Sequence, residues 1–321
     1  MNRLLELFAS RPDQYLSGEE ISRTLGVSRS AVWKQINRLR QEGYIFDAVS
    51  RVGYKLASKP DKLQAASILA KLKTNKLGRE LYLNEQLDST QAEAQRLLSA
   101  GAEEGCVIVA EEQTAGRGRL GRSWHSPPGK GLWMSIILKP DIPFASAPHL
   151  TLLTAVALCR CIRRMTKVEA LIKWPNDLLV EGKKISGILM ETQLEEERLV
   201  SVAAGIGICV NLEQQDFPAD LQPKATSLMQ ASGGLVDRES LLVAFLEELE
   251  HWYELYMREG FATIRNVWEA LSTTLQRHVK AGDVEGVAVG LNEQGALLIR
   301  QQDGSTVPVF SSDVAESSAV G

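Results

Sequence analysis

Cysteine is scarce: there are four in 321 residues, at 106, 159, 161 and 209, with no paired metal-ligand spacing. Cys159 and Cys161 sit two apart on a helix-patterned stretch and so point to different faces. All four read as core thiols. No apolar run approaches the ~20 residues that span a bilayer. The N-terminus, MNRLLELFASRPD, is too short and too charged for a signal peptide. These absences predict a cytoplasmic chain with no membrane partner. A net charge of −4 excludes a polycation, and 44% hydrophobic with 24% charged residues is an ordinary globular profile, long enough for two or three domains.

The charge is unevenly spread. Residues 1–58 hold nine Lys/Arg against six Asp/Glu, a net of +3, which leaves −7 for the remainder. A local basic field on an acidic protein is a footprint of phosphate contact. Leu4, Leu5, Leu7 and Phe8 suggest a first helix. Ser17 caps a second, with Gly18 following and Glu20 placed to complete a capping box. Gly26 makes a tight turn, and Ser28 caps a third helix from Arg29 to about Gln41. Its buried face is Val32, Ile36 and Leu39; its outer face shows Arg29, Ser30, Trp33, Lys34 and Asn37. This is a helix-turn-helix pattern, whose second helix enters the DNA major groove. Residues 44–56 alternate as two short strands around Ser50 and Arg51, a wing. A small helical protein-interaction module remains the alternative. Pro60 and Asp61 mark a linker.

The stretch 105–138, GCVIVAEEQTAGRGRLGRSWHSPPGKGLWMSIIL, reads as a strand, a glycine–arginine loop and a second strand. Glycines let backbone approach a ligand, and arginines offer forked donors for carboxylate and phosphate oxygens. GRGRLG formally matches G-x-G-x-x-G, but the prolines of SPPGKG forbid the helix that a dinucleotide turn must open. The missing helix also counts against a P-loop, where Arg122 would replace the lysine. A solvated basic loop is the remaining alternative.

Further along, strands are expected at 81–84, 170–174, 178–180, 185–191 and 199–210. Helices are expected at 89–100, 149–165, 240–258 and 261–271, with a short one at 65–72. Interleaved hairpins and helices imply an α+β fold with a largely antiparallel or mixed sheet. Residues 272–321 read as short strands at 279–280, 284–291, 296–300 and 307–309, with a frayed end.

Five motifs follow in one order: DST at 88–90, AEEQTAGRGRLGRSW at 110–124, KWPNDL at 173–178, KKISGIL at 183–189 and GIGICVN at 205–211, with ATSL at 225–228 after them. The set resembles the biotin protein ligases. SGEEISRTLGVSRSAVWKQINRLR resembles the DNA-reading segment of the family's long form, which is ligase and biotin operon repressor in one chain. The resemblance implies three domains. These are a winged helix-turn-helix at 1–60, a class II synthetase-like catalytic domain at 61–271 and an SH3-like barrel at 272–321.

It also implies a two-step chemistry. The carboxylate of biotin attacks the α-phosphate of ATP, giving biotinyl-5′-AMP and pyrophosphate. A lysine of a biotin carboxyl carrier protein then attacks the mixed anhydride. Mg2+ accompanies ATP. The adenylate would also be the corepressor, favouring a homodimer that binds a two-half-site operator. Both steps need repelling anions held together and phosphorus-oxygen charge stabilised, which suits Arg and Lys.

By matching position, Ser89, Thr90, Gln91 and Gln113 are expected at biotin's ureido ring. Gly116, Arg117 and Gly118 are expected to close over biotin. Arg119 and Arg122 would face phosphate and Trp124 would stack on adenine. Lys184 would be the main catalytic cation, reaching carboxylate and phosphate. Lys173, Asn176 and Asn211 are expected at ATP, and Asp177 at Mg2+. Gly187, Gly205 and Gly207 would let the sheet backbone approach biotin. The duller alternatives are a core Trp174, a solvated Lys183–Lys184 hairpin tip, Asp177 as a turn cap, and a bulge at Gly205 and Gly207. Glu195 and its neighbours read as a solvated turn.

Two positions depart from the family pattern. Cys209 stands where an asparagine is usual, and Gln91 where asparagine often follows DST. Three other functions stay open: a biotin-sensing regulator without ligase activity, a lipoate or octanoyl ligase, and an enzyme whose N-terminal module binds protein. An intact Lys184, Arg119 and Arg122 set argues against the first. GRGRLGR and KWPND argue against the second. Three glycines, at 116, 118 and 121, make the loop that carries Arg117 to Arg122 costly to fix, which predicts ordering on adenylate binding.

Overall fold

The computed structural model describes residues 3–41, 44–49, 52–58, 62–196, 198–310 and 312–316. The expected wing tip at Ser50 and Arg51, the linker at Pro60 and Asp61, and Glu197 lie outside them. The chain divides into two compact units, Met1–Lys62 and Leu63–Gly321.

In the first unit α1 (Arg3–Ala9), α2 (Gly18–Leu25) and α3 (Arg29–Gln41) precede the antiparallel pair β1 (Ile45–Val49) and β2 (Gly53–Ser58). Their core is Leu4, Phe8, Leu16, Ile21, Val32, Ile36, Leu39 and Phe46. The expected buried face of α3 therefore packs in one cluster with Ile21 of α2. Ser17 Oγ accepts from the Glu20 N–H at 3.1 Å. The reciprocal half of the capping box is not used, because Arg11 pairs with the Glu20 carboxylate instead. Gly26 ends α2 at φ 69°, the left-handed conformation that a tight turn needs.

The second unit is built on a seven-stranded sheet. Its elements are α4 (Ala65–Lys71), β3 (Leu81–Leu87), α5 (Thr90–Ser99), β4 (Val107–Gln113), β5 (Gly131–Leu138), α6 (Ala147–Thr166), β6 (Leu171–Lys173), β7 (Asp177–Val180), β8 (Lys183–Glu195), β9 (Arg198–Cys209), α7 (Leu228–Ser232), α8 (Arg238–Glu259) and α9 (Ala262–Leu271). Strand order is β3-β4-β5-β9-β8-β7-β6. Only the β3–β4 pairing is parallel within it, so the sheet is mixed.

Period-two alternation gives this sheet two different faces. Leu132, Met134, Ile136 and Leu138 of β5, with Ala204, Ile206 and Ile208 of β9, enter the large core with α6 and α8. The alternate residues Ile137 and Ala203 join a smaller cluster with Ala94 of α5. Trp133 and Cys209 join a third with Leu212 and Phe217. Ser135, Gly205 and Gly207 lie between these two clusters in register, since Ser135 pairs with Gly205 and Trp133 with Gly207.

Contrary to the sequence expectation, one segment among the described residues is long and apolar enough to span a membrane: residues 144–166, containing α6. Two-thirds of its most apolar stretch is buried, and twelve residues of α6 lie in the interior. Cys159 and Cys161 are among them, and burial pushes both thiols up to about 12.

The chain ends in β10 (His278–Ala281), β11 (Val284–Leu291), β12 (Leu297–Arg300), β13 (Thr306–Val309) and β14 (Val314–Glu316), an antiparallel sheet in the order β13-β12-β11-β10-β14. Its Val279, Ala288, Leu297 and Ile299 share the large core with Trp268 and α6. The expected frayed end is corrected at Val314–Glu316, which pairs with β10. That strand is short, and its partner is 35 residues away in sequence, so no local pattern announces it.

Candidate functional site

The polar groups on the sheet face between the two small clusters form one chain of hydrogen bonds. Ser89 caps α5, its Oγ accepting from the Gln91 N–H at 3.2 Å. Gln113, at the end of β4, accepts at Oε1 from the Thr90 N–H (2.8 Å) and hydroxyl (3.1 Å). Its Nε2 donates to Ser126 Oγ at 2.8 Å. Thr90 Oγ1 lies 2.9 Å from Ser135 Oγ, which lies 2.8 Å from Gln91 Oε1. Gln91 Nε2 donates to the carbonyls of Ala203 (3.2 Å) and Leu189 (3.4 Å). Ser89, Thr90, Gln91 and Ser135 are all buried. The Gln91 amide lies across Gly205, where an added Cβ would stand 2.8 Å from it.

Beside this chain lies the arginine loop. Gly116 is buried, and a Cβ there would come within 2.5 Å of the Trp124 carbonyl. The Trp124 N–H donates to Gly116 O at 2.8 Å and the Gly118 N–H to Arg122 O at 2.7 Å, folding residues 116–124 into a narrow turn. Arg117 is exposed and bridges to Ser123 through backbone. Leu120, at the tip, takes φ 57° and is exposed. Two arginines anchor the turn. Arg119 donates to Asn176 Oδ1 at 3.0 Å, and Arg122 pairs with Asp313.

The indole of Trp124 lies over Gly207 and Gly187. Added Cβ atoms there would come within 2.3 Å of Nε1 and 3.0 Å of Cζ3. The indole N–H is buried and meets no acceptor among the described residues. The Lys184 ammonium sits 5.2 Å from the Trp124 ring centre and 2.6 Å from Asp177 Oδ1. Lys184 is thus not a solvated hairpin tip, unlike exposed Lys183. The hydrogen bond from Arg122 holds the Asp313 carboxyl below the ordinary carboxylate range, and Arg119 and Lys184 add to it. Three cations therefore share one neighbourhood that can take a polyanion.

Of the other expected groups, Asn176 and Asp177 are themselves partners of these cations, whereas the Asn211 amide is held by other contacts. Asn176 is held by its Nδ2 donating to Ile188 O at 2.7 Å, and Lys173 pairs through backbone with Asp177. Trp174 is a core residue. Asn211, expected at the nucleotide, has its amide bonded to the backbone of Val236. Its Nδ2 donates to Val236 O at 2.9 Å and its Oδ1 accepts from Val236 N–H at 3.0 Å. Cys209 is buried among Trp133, Leu212 and Phe217, and burial pushes its thiol up to about 12. Asp177 faces Lys184, and the described residues contain no group of three His, Cys, Asp or Glu side chains that could hold a metal unaided.

Sequence reasoning missed Ser135 and Asp313. Ser135 had a faint signal, as the one hydroxyl in a strand of eight buried residues. Asp313 had none, because it meets Arg122 across 191 residues of chain.

In the first unit, Arg29, Ser30, Trp33 and Lys34 of α3 are exposed and Asn37 is half-buried. Ser28 caps the helix, its Oγ accepting from the Ala31 N–H at 3.2 Å. Gly18, Ser17 and Arg29 line a cleft of about 390 Å³ with Val49, Val52 and Tyr54.

Three family models match the chain: the biotin/lipoate A/B protein ligase family over residues 83–209, an HTH domain over 1–55, and the biotin protein ligase C-terminal domain over 274–315. The chain is 45% identical to a bifunctional ligase/repressor BirA of Bacillus spizizenii, over 97% of both chains. It is 32% identical to the BirA of Escherichia coli K12, over 99% of this chain and 97% of that one. A biotin protein ligase from Aquifex aeolicus, solved with biotin and ATP, matches at TM-score 0.65 and 30% identity, over 74% of this chain and all of that one.

Proposed function

Because the chain belongs to the biotin protein ligases, in their bifunctional ligase and repressor form, we propose that its sheet-face cleft is where biotin and ATP react. The chain is a biotin–protein ligase with a DNA-binding repressor domain. It binds biotin and ATP, and transfers the biotinyl group to a lysine of a carboxyl carrier protein.

The observation that carries the placement is the position of Lys184. Its ammonium stands over Gly187, flanked by Trp124 and Asp177, in the neighbourhood of Arg119 and Arg122. Biotin's carboxylate oxygen attacks the α-phosphorus, and the bond from phosphorus to the bridging oxygen breaks as pyrophosphate leaves. Lys184 offsets the repulsion between carboxylate and phosphate, and Arg119 and Arg122 take the charge on the phosphate oxygens. The acceptor's lysine nitrogen then attacks the acyl carbon, AMP departs, and the nitrogen loses its proton. No side chain of this protein need become covalently attached.

Ser89, Thr90 and Gln113 are proposed at the ureido ring, and Gly116, Arg117 and Gly118 over biotin. Gly187, Gly205 and Gly207 form the floor. At present Gln91 covers Gly205 and Trp124 covers Gly187 and Gly207. Binding therefore turns the Trp124 indole, whose unpartnered N–H then meets a ligand atom and whose ring stacks on adenine. Lys173 and Asn176 lie on the phosphate side. Mg2+ suits the site as a phosphate-borne ion, since one carboxylate besides phosphate oxygens suffices for it. Asp177 would hold it there, neutralising phosphate charge.

On the DNA side, Arg29, Ser30, Trp33, Lys34 and Asn37 enter the groove, with Gly18 and Ser28 at the backbone. Biotinyl-5′-AMP is the proposed corepressor, favouring a homodimer on a two-half-site operator. A cytoplasmic location is part of this reading, since ATP and DNA are both available there.

The decisive experiment is biotin-dependent ATP–pyrophosphate exchange in native protein and Lys184→Ala. Exchange that collapses in the variant supports the cleft assignment. Exchange driven by lipoate but not by biotin would overturn the substrate.

A further inference from the structure

Ser135 lies in the middle of β5, fully buried, on the face that carries Gly205. Its hydroxyl touches two polar side chains from α5 and has a single proton to give. The direction of that proton can be worked out. Gln91 Nε2 faces two backbone carbonyls, which can only accept, so the amide is oriented with Oε1 toward Ser135. An amide oxygen can only accept as well. The Ser135 proton therefore goes to Gln91, and Ser135 has only lone pairs to offer Thr90. The Thr90 hydroxyl in turn has two internal acceptors, Ser135 Oγ at 2.9 Å and Gln113 Oε1 at 3.1 Å. Its proton is used within the protein on either choice. What remains at Thr90 for a ligand is a lone pair.

We propose that Ser135 is a positioning residue that sets the hydrogen-bond polarity of the cleft. With its own proton held by Gln91, it stands beside Gln113 as a second acceptor for the Thr90 proton, so that this end of the site reads an N–H donor on the ring of the bound acid. The inference rests on the proposed placement of biotin at Thr90 and deepens it. A ureido ring supplies such N–H groups. A dithiolane ring of similar size supplies none, and it would leave the buried acceptors unpaired, which is how a hydrogen-bonding site rejects a near-isostere.

The test is steady-state exchange on the full-length chain, comparing Ser135→Ala with Ser135→Thr. In S135A the Gln91 oxygen loses its donor and Thr90 loses an acceptor. The KM for biotin is expected to rise about tenfold, with kcat and the KM for ATP within about twofold of native. S135T, which keeps the hydroxyl, is expected to recover most of that rise. Desthiobiotin, which keeps the ureido group, should follow biotin in every variant. A biotin KM within twofold of native in S135A, or a parallel change in kcat and both KM values, overturns the assignment. Should S135A not fold, Gln91→Met removes the acceptor of the Ser135 proton from the other side and must raise the same KM; an unchanged value there overturns it equally. Native protein without biotin-dependent exchange would instead sink the underlying functional reading, whatever the variants do.

Discussion

The outer face of α3 and the cleft of the second unit hold their ligand-facing side chains in opposite ways. On α3, Arg29, Trp33 and Lys34 stand in solvent on a helix whose inner face is closed by Val32, Ile36 and Leu39. In the cleft, Thr90, Gln91 and Ser135 are buried and each is held by another. A helix face that meets its ligand from outside needs only a scaffold behind it. A cleft that meets its ligand from within needs its polar groups oriented beforehand, since an unpaired buried group costs about 1–3 kcal/mol. The first kind of site is replaceable residue by residue; the second behaves as a unit.

The largest expected effect tests the cleft side. Lys184→Ala should lower exchange by about 10²–10³-fold, the usual scale for losing one preorganised charge partner. It should leave the melting temperature near native, because its ion pair with Asp177 is partly exposed. A loss below tenfold would mean that Lys184 is a bystander and that the arginines carry the charge.

Next comes Gly207→Ala. The new Cβ would stand 2.3 Å from the Trp124 indole nitrogen, so the ring must shift. A rise in biotin KM of about tenfold is expected, with a fall in melting temperature from overpacking of about 1–3 kcal/mol. Gly26→Ala, at φ 69° with open space around it, is the contrast. It strains a turn in the first unit and should leave exchange kinetics unaltered.

On the α3 side, Lys34→Ala should weaken DNA binding several-fold. The slope of log affinity against log salt should fall by about one, as for one lost phosphate contact. Exchange should be unchanged. A salt-independent loss would reassign Lys34 to base reading, and no loss at all would favour the protein-interaction alternative.

This contrast also decides what was legible from residues alone. The face of α3 could be read because period 3.6 sorts its residues and function lies on the side left over. The winged unit, the mixed sheet and β10 to β13 of the C-terminal sheet were likewise legible from alternation and turn residues, apart from β14 and the capping role given to Glu20. The cleft was legible only as motifs. Nothing in DST or GIGICVN says that Gln91 lies across Gly205, that the Asn211 amide closes on Val236, or that Trp124 rests on Gly187 and Gly207. Those are meetings between strands, and a one-dimensional pattern does not contain them. The helix of α6 was legible too, but its apolar length was under-read, because a largely buried core helix can have the composition of a membrane span.

A smaller effect probes the join between cleft and C-terminal sheet. Asp313→Asn removes the partner of Arg122, but both side chains are more than half exposed. The stability change should therefore stay within about 1 kcal/mol. The carboxyl's lowered pKa gives the sign: the pair contributes above the ordinary carboxylate range and is lost only as pH falls through the folded value. Between pH 6 and 8, by that reasoning, the variant's stability should run parallel to native, while a lower KM for ATP would mark release of Arg122 to phosphate.

The smallest expected effect asks whether being buried and held is itself a mark of function. His149 satisfies that description as fully as Thr90 does. Its Nε2 lies 2.8 Å from the Glu293 carbonyl and its Nδ1 3.0 Å from the Tyr256 hydroxyl, and its ring stacks on Phe261 at 3.9 Å. A carbonyl can only accept, so Nε2 carries the proton and Nδ1 accepts from Tyr256, which describes a neutral ring. Burial pushes its pKa below the ordinary 6.5. The unfolded chain therefore takes up the proton first, and stability falls as pH drops below about 6.5 toward the folded value. His149→Gln should flatten that acid-side fall in melting temperature and leave both biotin and ATP kinetics at native values. Were exchange impaired as well, the distinction between a held group that supports the fold and a held group that faces a ligand would fail. The hydrogen-bond chain through Ser135 would then be a packing feature like any other.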